Sequence, residues 1–411
     1  MKLSVIITVY NTNIAHFESC LRSLESQTQK DDMEICVLDD GSNIDYSALV
    51  SKYNLNYKKT ENRGILAARL SGIEMASGDC IAFCDSDDTV SFDYYRPMVE
   101  CMEQKDADIV INDWAFHTDK SRYFCKQDIT IKENFSLSGT AVIEKFFEPC
   151  GKQHSFFVLW NKIYRADLLR KAAHALAAGE IAKENCIYSE DAALNFYAFL
   201  YAGRLCNVHT GYYFYRIHNS QTVSVISSDR LSLQISQMAK TLNVMQSELE
   251  KRQELTHLCK NVQLWRELMA RNHYSHAKSK GYTELYEQIK KSYKVNKLKR
   301  SKLSDGYIYT VNVLLPENFG EIDAALRKIY FGNEFVSVFC SKTNHYAMRM
   351  LLRLADENEK IKLGDKKSDI IVPDAEISPR NRFLHNFFVY TIGTILFPKG
   401  SKLRGFLKSK L

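Results

Sequence analysis

The chain has 411 residues, 45% hydrophobic and 25% charged, and its 17 Gly and 6 Pro exclude long flexible or collagen-like segments. Its formal charge of +6 is local: seven Lys and Arg between Gln288 and Ser304 and seven more between Arg380 and Leu411, with no Asp or Glu in either stretch, leave 41 basic residues against 49 acidic ones elsewhere. An acidic body with two cationic patches excludes a nucleic-acid binder with a basic face throughout, and predicts attraction to an anionic surface or polymer.

The first 115 residues alternate strand and helix signals, the pattern of a parallel sheet covered by helices. Leu3 to Val9 is a β-rich run. Ile14, Phe17, Leu21 and Leu24 then recur at helical spacing up to Gln27, and Glu34 to Leu38 is a second buried strand ending in Asp39-Asp40-Gly41-Ser42. A third short strand, around Leu55 to Lys58, precedes Asn62-Arg63-Gly64. The helix from Ile65 to Ala76 is expected to stop at Ser77-Gly78 on a glycine C-cap, and Cys80 to Cys84 forms the next strand, running into Asp85-Ser86-Asp87-Asp88. Polar clusters at Asn11, Asp39 to Ser42 and Asp85 to Asp88 thus follow successive strands. Loops at the carboxyl ends of strands form the ligand crevice of an open α/β sheet, so a nucleotide site is expected there.

Between about Trp114 and Val225 the pattern is mixed and rich in Tyr and Phe, with a strand around Leu205 to Arg216. From Asp229 to about Tyr293 it is helical, Leu231, Ile235, Met238, Leu242, Met245 and Leu249 making one apolar face and Val262, Trp265 and Leu268 another, as core packing requires. Leu303 to Pro373 reads as mixed, with strands near Tyr307 to Leu315 and Val336 to Cys340. The length predicts two or three domains. Eleven scattered cysteines without a C-x-x-C fit reduced thiols rather than a disulfide framework or a zinc site. No cleavage-site pattern follows Met1-Lys2, and the longest apolar run, Phe383 to Phe397, is 15 residues, short of the roughly 20 needed to span a bilayer. A cytosolic chain is expected. Phe383, Phe387, Phe388, Thr391, Ile392 and Ile395, followed by the basic Phe397 to Arg404, suit either packing onto the body or a partner or, as expected here, a segment lying on the anionic inner face of a membrane.

Asp85-Ser86-Asp87 is the sharpest chemical feature. Two carboxylates spaced by one residue on a tight loop can converge on a hard divalent cation whose remaining ligands are diphosphate oxygens; the same triplet also suits a solvated acidic turn. Asp39-Asp40-Gly41-Ser42 serves equally as a turn, with Gly41 supplying positive φ, or as a carboxylate accepting the N3–H of a uracil ring.

Ser4-Val5-Ile6-Ile7-Thr8-Val9-Tyr10-Asn11, Asp39-Asp40-Gly41-Ser42, Glu61-Asn62-Arg63-Gly64 followed by Ala68-Arg69, Ser77-Gly78-Asp79 and Phe83-Cys84-Asp85-Ser86-Asp87-Asp88 together resemble, in order and spacing, the bacterial family 2 glycosyltransferases. Trp160-Asn161-Lys162-Ile163-Tyr164, Ser189-Glu190-Asp191 and Tyr215-Arg216-Ile217-His218-Asn219-Ser220 are similar to stretches of members that build or decorate cell-surface polymers, so the likeness covers about Met1 to Ser224. Leu70 departs from it, standing where an Asn commonly follows the Arg, as does Asn43-Ile44-Asp45, which replaces a shorter T-D.

The resemblance implies an α/β fold with a GT-A-type, Rossmann-like nucleotide-sugar-binding domain over residues 1–225. A helical acceptor-side segment (226–302) and a mixed C-terminal region with a basic amphipathic tail (303–411) follow. It implies a UDP-sugar donor contacting Val9, Asn11, Asp39, Asp40, Asn62, Arg69, Asp85, Ser86, Arg216 and Ser220. A divalent metal, Mn2+ or Mg2+, would be held by Asp85, Asp87 and His218. Inverting transfer needs one base opposite the leaving diphosphate, and Asp191, at the start of an apolar-periodic segment where a helix end would keep it ionised, takes that role with Glu190 orienting it. Trp160, Asn161 and Lys162 join the candidate site. The implied partners are the nucleotide sugar, a glycan, teichoic acid or lipid-linked acceptor and an anionic membrane surface, with no nucleic acid; a homo-oligomer is compatible. The alternative functions are a catalytically silent membrane-associated scaffold, or a transferase of another nucleotide-activated group.

Overall fold

Strands buried on both faces read as continuous apolar runs, and β1 (Leu3–Val9) is one, buried at every position but Ile7's neighbour Thr8. In the computed structural model, which describes residues 1–118, 124–128, 134–148, 154–217, 227–298, 309–314 and 335–340, α1 (Ile14–Glu25), β2 (Met33–Asp39), α2 (Ser47–Lys52), β3 (Leu55–Lys59), α3 (Ile65–Met75) and β4 (Cys80–Asp85) follow in the alternation expected. The four strands are parallel in the order β3-β2-β1-β4. Their register pairs Val9 with Asp39, Thr8 with Asp85 and Asp39 with Lys59, so the polar clusters after the strands open onto one sheet edge.

Asn13 caps α1, its side chain accepting the N–H of Ala15 at 2.9 Å, and Phe17, Cys20, Leu21 and Leu24 are buried. Ile14 is 49% exposed because it opens the helix at the carboxyl edge of the sheet. α3 ends at Ala76 in extended backbone, not on a glycine cap. Gly78 serves close approach instead: a Cβ there would meet Lys2 O at 2.8 Å and Ser4 N at 2.9 Å.

After β5 (Thr89–Val90), α4 (Arg96–Lys105) and β6 (Ile109–Thr118) come β7 (Phe124–Asp128), β8 (Ser136–Ser138), α5 (Thr140–Phe147) and α6 (His154–Phe157). Then β9 (Lys162–Arg165), α7 (Ala166–Ala177), α8 (Glu190–Tyr201) and β10 (Arg204–Ile217) follow. β9 runs antiparallel to β4 and to Ile109–Ile111 of β6, and β10 runs antiparallel to β5 and β8. In α9 (Ser228–Glu250) the six apolar residues of the expected stripe are all buried, as are Val262, Trp265 and Leu268 of α10 (Cys259–Lys280); α11 (Leu285–Tyr293) buries Ile289 and Tyr293. These helices share one apolar core with α5 to α8, where Trp265 packs on Phe157 with ring centroids 4.5 Å apart.

The residues fall into two compact units, 1–114 with 131–301, and 115–130 with 302–411. In the second, β11 (Tyr309–Leu314) is antiparallel to both β7 and β12 (Phe335–Cys340). His218, Ser220, the basic residues beyond 298 and the 380–411 tail lie outside the described residues. Among those described, no helix is long and apolar enough to cross a membrane, and Cys20, Cys36, Cys80, Cys84, Cys101, Cys186, Cys206 and Cys259 are free thiols.

Candidate active site

The loop after β1 turns at Asn11, whose φ of 52° lies in the left-handed region that Asn tolerates better than most residues. Its N–H donates to Ser42 Oγ at 2.9 Å and its Oδ1 accepts the N–H of Asn43 at 2.8 Å, which fastens this loop to the one after β2. Asp39 is fully buried; one carboxylate oxygen accepts the Ser42 N–H and the other the Tyr57 hydroxyl, each at 2.7 Å. The two oxygens of Asp40 accept the N–H groups of Arg63 and Gly64 at 2.8 Å. Gly41, at φ 79°, touches the loop after β3, since a Cβ would meet the Asn62 nitrogen at 2.6 Å. Turn building and cleft building are therefore the same act here.

The Asp85–Asp88 loop is clasped by β10. The Tyr213 hydroxyl accepts the Asp85 N–H at 2.9 Å and donates to Asp88 Oδ2 at 2.7 Å, and Asp88 Oδ1 accepts the Arg216 N–H at 2.7 Å. Arg216 Nε donates to the Asp87 carbonyl at 2.6 Å. Trp160 stacks on the Tyr213 ring, 4.4 Å between centroids and 14° between planes, so it positions the loop through Tyr213. Burial pushes the Asp88 carboxyl well above the usual range, with the charges of Asp87 and Asp85 adding to it. Thr12 Oγ1 and Ser86 Oγ, 2.6 Å apart, join this loop to the one after β1.

Arg69, on α3 and 5% exposed, joins two motifs distant in sequence. Its Nη1 donates to Glu190 Oε1 at 2.7 Å and its Nη2 to Asp85 Oδ1 at 3.5 Å. Glu190 and Asp191 open α8, and Asp191 Oδ1 accepts the N–H of Ala192 at 2.9 Å. Burial raises the Glu190 carboxyl to about 7 and Asp191 adds to the rise, while Arg69 opposes it. Asp85 is raised to about 6 by burial, against Arg69 and with Asp87 and Asp191. The Asp191 carboxyl is also raised: burial outweighs Arg69, the N–H groups at the helix start and Lys162, so the helix end moderates the shift without reversing it. Lys162 is fully buried, its ammonium donating to Val158 O at 2.6 Å and Asn161 Oδ1 at 2.7 Å; burial drives its pKa well below the usual lysine value and Asp191 resists this.

A cleft of about 680 Å³ opens beside these groups. Val9, Asn11, Asp40, Asn62, Asp85, Ser86 and Asp87 line it, as does Tyr215 of the Tyr215–Ser220 stretch, together with His16, Asn185, Ile187 and Arg230, which no sequence motif marked. Asp39, Arg69, Trp160, Asn161, Lys162, Glu190, Asp191 and Arg216 stand outside the lining. Arg69 contacts the lining residue Asp85 and Arg216 contacts Asp87, while Asp39, Trp160, Asn161 and Lys162 are buried.

Among the described residues no three His, Cys, Asp or Glu side chains form a metal cage. A hard cation that keeps water and substrate phosphate oxygens as ligands needs only one or two carboxylates. Asp85 and Asp87 supply that number on the cleft wall, and the repulsion that raises Asp85 is one a cation would relieve. The pair fits such an ion.

Acidic strand-end loops thus surround a cleft on a parallel sheet extended by antiparallel strands, in a mixed α/β domain. Residues 4–171 match the family model for glycosyl transferase family 2. The chain is 33% identical over 235 residues to the putative glycosyltransferase EpsH of Bacillus subtilis, covering 54% of this chain and 62% of EpsH. It is 25% identical over 350 residues to the glycosyltransferase GlyA of Streptococcus pneumoniae, covering 80% of this chain and 45% of GlyA. The chain thus spans about half the length of these curated relatives. Among solved structures it is similar to S. aureus TarS 1–349 in complex with UDP-GlcNAc, at TM-score 0.45 and 19% identity over 77% of this chain and 97% of that one.

Proposed function

We propose that this chain transfers a glycosyl group from a UDP-sugar to a hydroxyl of a glycan, teichoic acid or lipid-linked acceptor, with inversion at the anomeric carbon. The observation that carries the reading is the Arg69 bridge, which ties Glu190, the neighbour of Asp191 at the start of α8, to the strand-end carboxylate Asp85 of a nucleotide-sized cleft. Asp40, on the cleft wall, has lone pairs left to accept the N3–H of uracil while its backbone donors hold it still, and Asp39 braces the same turn from within. The acceptor oxygen attacks the anomeric carbon as the bond from that carbon to the diphosphate oxygen breaks, and the acceptor proton passes to Asp191. A carboxylate raised by burial is a better base than a solvated one, because its proton affinity is higher. Glu190 and Arg69 position Asp191, and Arg69 adds positive charge on the Asp85 side as the leaving group gains negative charge. Asp85 and Asp87 would hold Mn2+ or Mg2+, which when bound neutralises the departing diphosphate. The cationic patches of the sequence support a place on the inner face of a membrane.

The test is release of UDP from a panel of UDP-sugars with manganese or magnesium, with and without lipid-linked and polymer acceptors. Acceptor-stimulated release from at least one donor is expected; no release from any, by a folded protein, would sink the proposal.

A further inference from the structure

A polar stripe runs along α9 at helical spacing. Arg230, Gln234, Gln237 and Thr241 recur at intervals of four, three and four, which places them on one face. The distal members hold the segment leading into α8. Gln237 Nε2 donates to Asn185 O at 2.8 Å, and its Oε1 accepts the N–H of Ile187 at 3.1 Å. Thr241 Oγ1 lies 2.9 Å from the hydroxyl of Ser189, the residue before Glu190. Asn185 and Ile187 in turn line the cleft, so this face of α9 backs the cleft wall.

Arg230, at the head of the stripe, reaches the cleft itself. Its Nε is buried and, among the described residues, has no hydrogen-bond partner. A buried N–H left unmatched is costly, because no acceptor replaces the lost water. Among the described residues the same lining carries three carboxylates, Asp40, Asp85 and Asp87, and Arg230 as its one Lys or Arg. A diphosphate entering this cleft therefore meets carboxylates on the strand side and a guanidinium on the α9 side, and planar two-pronged recognition of phosphate is what a guanidinium does best.

We propose that Arg230, a residue beyond the 4–171 family match, is a binding residue for the diphosphate of the donor, supplied by α9 across the cleft from Asp85 and Asp87. The proposal rests on the donor reading given above and adds to it a ligand-binding role for the helical segment. Because the stripe that ends in Arg230 also fixes Asn185, Ile187 and Ser189, α9 links the wall that takes the diphosphate to the start of the helix that carries Asp191.

The test is calorimetric titration, direct or by competition, of the full chain with uridine and with UDP, in the wild type, Arg230→Gln and Arg230→Lys. Losing a charge-assisted bond should weaken UDP binding by about 10- to 100-fold in Arg230→Gln, leave uridine binding unchanged, and cost Arg230→Lys less. Equal UDP affinity in wild type and Arg230→Gln overturns the proposal while the donor reading stands. Equal losses for uridine and UDP also overturn it, in favour of a structural role. Unchanged UDP affinity with a raised acceptor KM overturns it by placing Arg230 on the acceptor side. Failure of the wild type to bind either ligand removes the donor reading and this proposal together.

Discussion

At the end of β2, Asp39 and Asp40 accept three backbone N–H groups and a tyrosine hydroxyl, all within 2.8 Å, and these bonds hold the loops after β1, β2 and β3 in place. At the end of β4 and the start of α8, Asp85 and Glu190 share one guanidinium, and burial drives their carboxyls to about 6 and about 7. Both clusters are acidic and both adjoin the cleft. The difference lies in the donors: fixed backbone dipoles make a carboxylate part of the scaffold, whereas crowding around a single cation leaves it ready to exchange a proton near neutral pH.

Removing the cation from the second cluster should separate the two most strongly. Arg69→Met deletes the charge that favours the ionised forms of Asp85, Glu190 and Asp191, so all three carboxyls should rise further and the acidic limb of the transfer pH profile should move to higher pH. Stability should fall by about 3–5 kcal/mol at pH 8, the cost of stranding buried charge. The sign follows from linkage. Carboxyls raised in the folded state stabilise it when protonated, and that stabilisation is lost as pH rises through about 7, so urea unfolding should show a smaller loss at pH 6 than at pH 8. A pH-independent loss would place Arg69 with the scaffold cluster.

In the first cluster, Asp40→Ala strands the N–H groups of Arg63 and Gly64 and should cost about 2–4 kcal/mol, while the residual transfer keeps the shape of its pH profile. A shifted acidic limb would show that Asp40 is electrostatically part of the reacting group. The mildest probe is Gly64→Ala, at φ 87°, where the new methyl carbon would lie 1.9 Å from Asn185 Oδ1. Moving that side chain and straining the turn should cost about 1–3 kcal/mol, seen as a lower melting temperature and weaker UDP binding; a neutral result would mean that the Asn185 wall adapts.

The succession of strands and helices, the polar strand ends and the position of Asp191 at a helix start were legible because continuous apolar runs, as in Leu3–Val9, and helical stripes, as in α9, are short-range patterns. What stayed hidden is partnership at long separation. Arg69 and Glu190 lie 121 residues apart, and Tyr213 and Asp88 lie 125 apart, so periodicity could place each side chain on a face without naming what it meets. Asp88 looked like one more acid of the Asp85 loop, yet it anchors β10. Arg230 belongs to no motif, and its spacing from Gln237 and Thr241 is the only trace of its role in the sequence. Gly78 looked like a helix stop because glycine answers two needs, positive φ and close approach, and the letter alone does not say which.

The most direct trial of the account is Asp191→Asn, assayed for transfer and for UDP binding in the same preparation. The amide keeps the shape of the side chain and removes its ability to take a proton, so transfer should fall by about 10²- to 10⁴-fold while UDP affinity is unchanged. Transfer retained within a few-fold of wild type would contradict the assignment of Asp191 as the base.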